Sequence, residues 1–348
     1  MNTEFTDSGK LHAVAQKPAP AEPETRSRAF SGLLTLILLL ILAVVPAITQ
    51  AGEKRLAYLV SDQRIPFWEI MQRGVTERAT QLGYQVTTYS ADNSAKRELE
   101  HTARAIQQAV EGIILSPTNS SASVTILKLA ASAGIPVVIA DIGTEGGEYV
   151  SYIASDNRKG SYQIGRILVK ALQARNWEQG SVGIIAIPQT RANGRARTAG
   201  FMQALDEAGI RGAGIHQQVN FSYRETYDFA HRLIQDNPDL RALWLQGSDR
   251  YQAALDAMTD SGRSNQVLLI CFDAEPEFLE LIPAGVLVGA AMQQPFLMGE
   301  AAVNALHVHL QGGTPQQQML LPILAVSEEN IEALKPQILR NVLGMAEQ

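Results

Sequence analysis

An aromatic pair, Phe67 and Trp68, follows a short apolar run (Leu56 to Val60) and the polar stretch Ser61-Asp62-Gln63-Arg64. Later apolar runs also end in polar or aromatic residues. One ends in Asp141, and the next in a basic stretch holding Arg191, Arg195 and Arg197. Others run into Phe221-Ser222-Tyr223, Gln246-Gly247-Ser248-Asp249, Asp273 and Gln293. A carboxylate accepts two hydroxyl hydrogen bonds, a guanidinium donates a fork, and an amide does both. A flat ring covers the C–H face of a sugar. Together this is the chemistry that holds a polyol. Each residue also has a plainer explanation. Phe67 and Trp68 fit equally as core residues of the helix that Pro66 opens. Asp141 and Asp273 fit as turn or capping residues, and the three arginines as a solvated turn of which only one need reach a cleft. Glu275 and Glu277 precede a helix starting near Pro276, where the helix dipole favours acids, and this explains them better than metal binding does.

No signature of catalysis accompanies these residues. There is no G-x-S-x-G elbow, P-loop or H-E-x-x-H. His307 and His309, two apart in an expected helix, face different ways and make no metal pair. The glycine-rich Gly209 to Gly214 precedes a strand, so it is not a dinucleotide fingerprint. Cys271 is the only cysteine and lies in an apolar run, which fits an inert buried thiol. No enzyme, metal or cofactor is therefore expected. The net charge of −6 argues against nucleic acid as a partner.

The elements that must position these residues alternate in type. Ten β-rich runs are recognisable: Leu56–Val60, Gln85–Tyr89, Gly112–Leu115, Pro136–Ala140, Tyr149–Ile153, Val182–Ile187, Ile215–Asn220, Ala242–Leu245, Gln266–Phe272 and Leu287–Ala291. Between them lie segments of helical spacing, such as Phe67–Leu82, Lys96–Ala109, Gly160–Leu172 and Gly200–Ala208. Continuous apolar runs suit parallel strands buried on both faces. Ten strands are too many for one comfortable open sheet. The fold class is therefore α/β, with two doubly wound parallel-sheet lobes dividing near Ala154-Ser155-Asp156-Asn157. Asp156 or Asn157 would cap the next helix.

Upstream, residues 1–29 form a polar, Pro/Ala-rich leader expected to be disordered. Phe30 to Ile48 is a nineteen-residue run without charge behind Arg26 and Arg28. Residues 30–51 read as a signal peptide cleaved before Gly52 or as a membrane anchor, which puts the body outside the cytoplasm.

An ordered series of motifs carries a resemblance. The series runs through the Ser61-to-Trp68 loop, Leu115-Ser-Pro-Thr118, Gly134-Ile-Pro-Val-Val-Ile-Ala-Asp141 and Ile153-Ala-Ser-Asp-Asn157. It continues with Arg195-Ala-Arg197 before Gly200-Phe201, then Phe272-Asp273, and Gln293 shortly before Pro295. From Arg55 to about Val326 the chain resembles periplasmic sugar-binding proteins of the ribose-binding type. The resemblance implies a three-segment hinge, with crossings near Ile153–Ser155, Gln293–Gln294 and Leu320–Pro322. One lobe would take residues 53–154 plus 294–321, and the other 155–293 plus 322–348, with a terminal helix over Glu328–Met345. It also implies that Phe67 and Trp68 cover a sugar ring while Asp141 binds its hydroxyls. Arg195, Phe221, Asp273 and Gln293 would complete the site. Partners would be a sugar-like small molecule and an inner-membrane ABC permease or, alternatively, a sensor protein. Three positions depart from ribose binders, which have Asn at Ile65, Arg at Ile142 and Asn-Asp at Gly247-Ser248. With nearby Arg64, these departures point away from ribose towards a larger, less hydroxylated or partly acidic ligand.

Overall fold

The structure, a computed structural model, describes residues 54–345. The leader (1–29) and the apolar segment (30–51) lie outside the described residues. The elements begin with β1 Arg55–Val60, α1 Pro66–Gln81, β2 Gln85–Ser90, α2 Ala95–Gln107, β3 Gly112–Ser116, α3 Ala122–Ser132, β4 Val137–Ala140 and β5 Ser151–Ser155. There follow α4 Asn157–Gln173, β6 Ser181–Ala186, α5 Ala192–Glu207, β7 Arg211–Gln217, α6 Tyr223–Asp236, β8 Leu240–Leu245 and α7 Tyr251–Asp260. The chain closes with β9 Leu268–Phe272, α8 Phe278–Leu281, β10 Gly289–Met292, α9 Pro295–Leu310, β11 Gln318–Leu321, β12 Leu324–Ser327, α10 Ile331–Gln337 and a π-helical turn Ile338–Val342.

These strands form two six-stranded sheets, ordered β11-β5-β4-β3-β1-β2 and β12-β10-β9-β8-β6-β7. All pairings are parallel except β10 with β12. The α/β class with two doubly wound lobes is thus the observed architecture. Alternate strand residues feed opposite faces. In the first sheet Tyr58, Ile114 and Val138 join one apolar cluster while Leu59, Leu115 and Ile139 join another. In the second, Leu243 and Cys271 face one way, and Trp244 and Phe272 the other. Burial on both faces is why the strands read as unbroken apolar runs.

Two helix pairs pack backbone to backbone. A Cβ on Gly74 of α1 would sit 2.2 Å from the Phe296 carbonyl oxygen of α9, and one on Gly200 of α5 2.0 Å from that of Arg158 in α4. The chain passes between sheets three times, at 155–157, 292–295 and 321–324. The crossings are tied together: the Asp156 amide donates to the Leu321 carbonyl (3.0 Å), and Gln294 Nε2 to that of Pro322 (2.8 Å).

Sequence patterning missed four features. The strands β11 and β12 are four residues each and separated by Pro322, so neither shows a period of its own. The edge strand β7 starts at Arg211 and carries Gly212 and Gly214, residues that lower strand propensity. Helix α5 begins at Ala192, eight positions before the segment expected from Gly200. Pro336 lies inside α10, and the expected terminal helix is a short α-helix followed by the π-helical turn. No helix among the described residues is long and apolar enough to cross a membrane.

Candidate ligand-binding site

The carboxyl ends of both sheets' strands face one another across a cavity with about 500 Å³ of unfilled space, its mouth included. Ligands in open α/β sheets bind outside these strand ends. Phe67, Trp68, Asp141, Phe221, Asp273, Gln293, Ile65 and Gly247 all line this cavity. Three of them, Asp141 (φ 63°), Phe221 (φ 52°) and Asp273 (φ 67°), sit in the left-handed region. Asp tolerates that conformation, but for a bulky ring it is strained. Phe221 is held there by its neighbours. Ser222 caps α6 and accepts from the Glu225 amide (3.1 Å). The Glu225 carboxylate in turn accepts from the amides of Val219, Asn220 and Phe221 at 2.8–3.2 Å.

Neither Asp141 nor Asp273 is a helix cap. Asp141 Oδ2 accepts from Asn193 Nδ2 across the cleft (2.9 Å), and its Oδ1 is buried without a partner. Asp273 Oδ1 accepts from Gln293 Nε2 (2.7 Å), while Arg197 lies 3.6 Å from Oδ2. Burial outweighs the Arg197 and Arg191 charges and pushes Asp141 up to about 6; Asp273 is raised for the same reason. Trp68 belongs to both readings of the aromatic pair. It is buried in the first lobe's core and also reaches the cavity, its ring edge-on to Phe67 at 4.9 Å.

The arginines are sorted by helix phase. Positions 193 and 197 of α5 are four apart and share a face, and both line the cavity. Arg197 is buried, stacks on Phe272 at 3.8 Å, and donates to Asn157 Oδ1 (2.9 Å) and the Gln246 carbonyl (2.8 Å). Arg195 falls between them and turns outward. It lies about half-exposed, donating to the Gln189 carbonyl (2.9 Å) with Glu145 at 3.7 Å, so it is not among the residues brought to the cavity. Ile142 is buried in the first lobe's core, and Arg64 is exposed and paired with Asp62. Neither of these two is among the residues that line the cavity.

Arg191, just before α5, fastens the lobes. It is buried at the cavity wall and donates to the Thr118 carbonyl (3.1 Å), Ser61 Oγ (3.0 Å) and Asn93 Oδ1 (3.0 Å), all in the opposite lobe. The Ala192 amide donates to Ser120 Oγ (3.0 Å) beside it. Burial lowers Arg191 to about 10, which leaves it charged at neutral pH. Its partner loop is braced by buried Glu98, whose carboxylate accepts from the Thr118 amide (2.8 Å) and hydroxyl (3.1 Å).

Sequence reasoning did not single out Gln246, Asp249 or Glu275, which also line the cavity. Gln246 and Asp249 stood in a strand-end loop already noted, and Glu275 was assigned to a helix dipole. In the structure Ser248 Oγ donates to Glu275 Oε1 (2.7 Å), and burial raises Glu275 to about 7 and Asp249 to about 6. Among the described residues no cluster of His, Cys, Asp and Glu suits a metal ion.

Residues 56–314 match the family described as periplasmic binding protein domain. The chain is 27% identical over 305 residues to a ribose import binding protein of Bacillus subtilis, covering 85% of this chain and 97% of that protein. A carbohydrate transporter solute-binding protein from Agrobacterium radiobacter, solved with D-arabinose, superposes with a TM-score of 0.77 at 20% identity, covering 84% of this chain and 99% of that one. The Caulobacter myo-inositol-binding protein, bound to myo-inositol, gives 0.75 at 21% identity, with 82% and 97% covered. At these identities the two solved structures show the shared fold.

Proposed function

Because the chain belongs to the periplasmic binding protein family, a family of solute receptors rather than enzymes, we propose that it captures a small sugar or sugar-like polyol between its lobes and hands it to an ABC importer. The observation that carries this reading is the composition of one interlobe cavity. It combines aromatic faces (Phe67, Trp68, Phe221) with polar groups from both lobes, and Asp141 Oδ1, Gln246 Oε1 and Gln293 Oε1 are buried there without partners. Leaving a buried polar group unsatisfied costs about 1–3 kcal/mol, and a ligand hydroxyl at each would recover it.

Closure supplies the signal that a permease would read. The bonds from Arg191 and the Ala192 amide form only when the lobes meet, so ligand affinity and lobe contact are coupled. The import-protein relative and the export-like segment 30–51 support placement in the periplasm. The test is a thermal-shift panel of pentoses, hexoses, inositols and their derivatives, followed by small-angle scattering. A binding sugar should raise the melting temperature and compact the chain without being consumed. If no polyol shifts the melt, or if a bound sugar is turned over, the reading fails.

A further inference from the structure

The cavity's charge and hydrogen-bonding balance is one-sided. It is lined by four carboxylates, Asp141, Asp249, Asp273 and Glu275, against two guanidiniums, Arg191 and Arg197. Arg197 stands 3.6 Å from Asp273, and Arg250, behind the wall, 3.1 Å from Asp249. Arg191 spends its hydrogen bonds on neutral oxygens of the opposite lobe. Asp141 and Glu275 therefore have no cationic partner at ion-pair distance, and they come from different lobes. Asp141 and Asp249 feel the repulsion of Asp273, and Glu275 that of Asp249 and Asp273.

The unpaired atoms have the same bias. Asp141 Oδ1, Gln246 Oε1 and Gln293 Oε1 are all acceptors, and the residues bearing them are at most 2% exposed. The Gln293 assignment follows from chemistry, because its amide nitrogen donates to the Asp273 carboxylate. Each neighbouring donor makes at least one bond within the protein: Asn193 with Asp141, Gln246 with Thr198, Gln218 with Thr226, and Arg197 with Asn157 and the Gln246 carbonyl. A hydroxyl both donates and accepts, whereas an ammonium carries three donors and no acceptor. Only the ammonium also offsets the charge. The aromatic faces of Phe67, Trp68 and Phe221 are compatible with it, since ring faces attract cations.

Resting on the receptor reading above, we infer that the ligand is an amino sugar or similar amine-bearing polyol, its protonated amine facing Asp141 and the Asp249–Glu275 side of the cavity. Binding such a ligand holds those carboxylates ionised and so expels protons that the ligand-free site retains at mildly acidic pH.

The test is calorimetry on the full chain with D-glucosamine, D-galactosamine and D-mannosamine. Controls are the parent hexoses, the N-acetylated forms and D-glucuronate. At pH 7 at least one amino sugar should bind tenfold or more tighter than both its parent and its N-acetyl form. At pH 6, repeating the titration in buffers of different ionisation enthalpy should show net proton release. Asp141→Asn and Glu275→Gln should each shrink the preference for the amine at least threefold, which a merely structural role would not do. If neutral sugars bind and the amine brings no advantage, this inference is overturned while the receptor reading stands. If no sugar of either kind binds, the receptor reading falls and takes this inference with it.

Discussion

Replacing Asp141 by asparagine tests the cavity at its most telling atom. Asparagine is nearly isosteric and also tolerates the left-handed backbone at this position (φ 63°), so the strand end should keep its shape. Its side-chain oxygen can still accept from Asn193. What changes is charge. Burial pushes Asp141 up to about 6, whereas an exposed aspartate titrates near 4. Each tenfold change in proton affinity is worth about 1.4 kcal/mol. At pH 7.5 the ionised group therefore costs the folded protein roughly 3 kcal/mol relative to solvent, and asparagine should recover about 1–3 kcal/mol of it. For a chain of this size that is a rise of roughly 2–6 °C in the ligand-free melting temperature, which should vanish near pH 4, where the wild-type carboxyl is protonated. Binding should move the other way. Losing a charge-assisted hydrogen bond of about 1.5–3 kcal/mol lowers affinity roughly 10- to 150-fold. Differential scanning calorimetry of the ligand-free protein and titration with the sugar found in the panel measure both quantities. A lower melting temperature with unchanged affinity would refute the reasoning and make Asp141 a turn residue.

Other perturbations separate latch, scaffold and rim. Arg191→Ala removes three bonds between the lobes and should expand the ligand-free chain in small-angle scattering while weakening ligand binding; an unchanged radius of gyration would count against the latch. Arg197→Ala strips Asp273 of its neighbouring cation and should cost about 3–5 kcal/mol of stability. Arg195→Ala removes a half-exposed pair with Glu145 and an exposed bond to the Gln189 carbonyl, and should cost no more than about 1 kcal/mol by chemical denaturation. Gly200→Ala drives a methyl into the Arg158 carbonyl and should destabilise by about 1–3 kcal/mol, with the affinity of the folded fraction retained in calorimetry. The buried acids also set a pH dependence. Asp141 and Asp249 (about 6), Glu98 and Glu275 (about 7) titrate above their unfolded values, so the folded state holds more protons between about pH 4 and 7. Their contribution is complete below about pH 4 and lost as pH rises through 6–7. The ligand-free melting temperature should be higher at pH 5 than at pH 8, and a flat profile would argue against these assignments.

The two-lobe sheet architecture was legible because parallel strands buried on both faces leave unbroken apolar runs, and their polar termini fall where the topology gathers them. Asp141, Phe221, Asp273 and Gln293 could be found that way, each directly after such a run or close beyond it. The residues that escaped are those whose placement depends on something other than the end of a strand. Asp249 and Glu275 lie two or more residues into a loop, where local pattern cannot tell a carboxylate facing a cleft from one facing water. Trp68 shows that the choice between core and cleft can be a false one, since a ring at a helix start can close the core with one face and the site with another.

The arginines show most clearly what fixes the site. The basic stretch from Arg191 to Arg197 reads as a loop if the helix is taken to begin at Gly200, and then any of the three can reach the cleft. Beginning the helix at Ala192 removes that freedom. At about 100° per residue, Asn193 and Arg197 are nearly aligned, whereas Arg195 is roughly 160° from Arg197 and must face outward. Arg191, still in extended backbone (φ −92°, ψ 131°), is free to reach across to the other lobe. One helix boundary thus assigns three like residues to three different tasks: Arg191 to closure, Arg197 to the carboxylate floor of the cavity, and Arg195 to a solvated rim. The contrast between Arg195→Ala and Arg197→Ala therefore tests the helix start as directly as it tests the site.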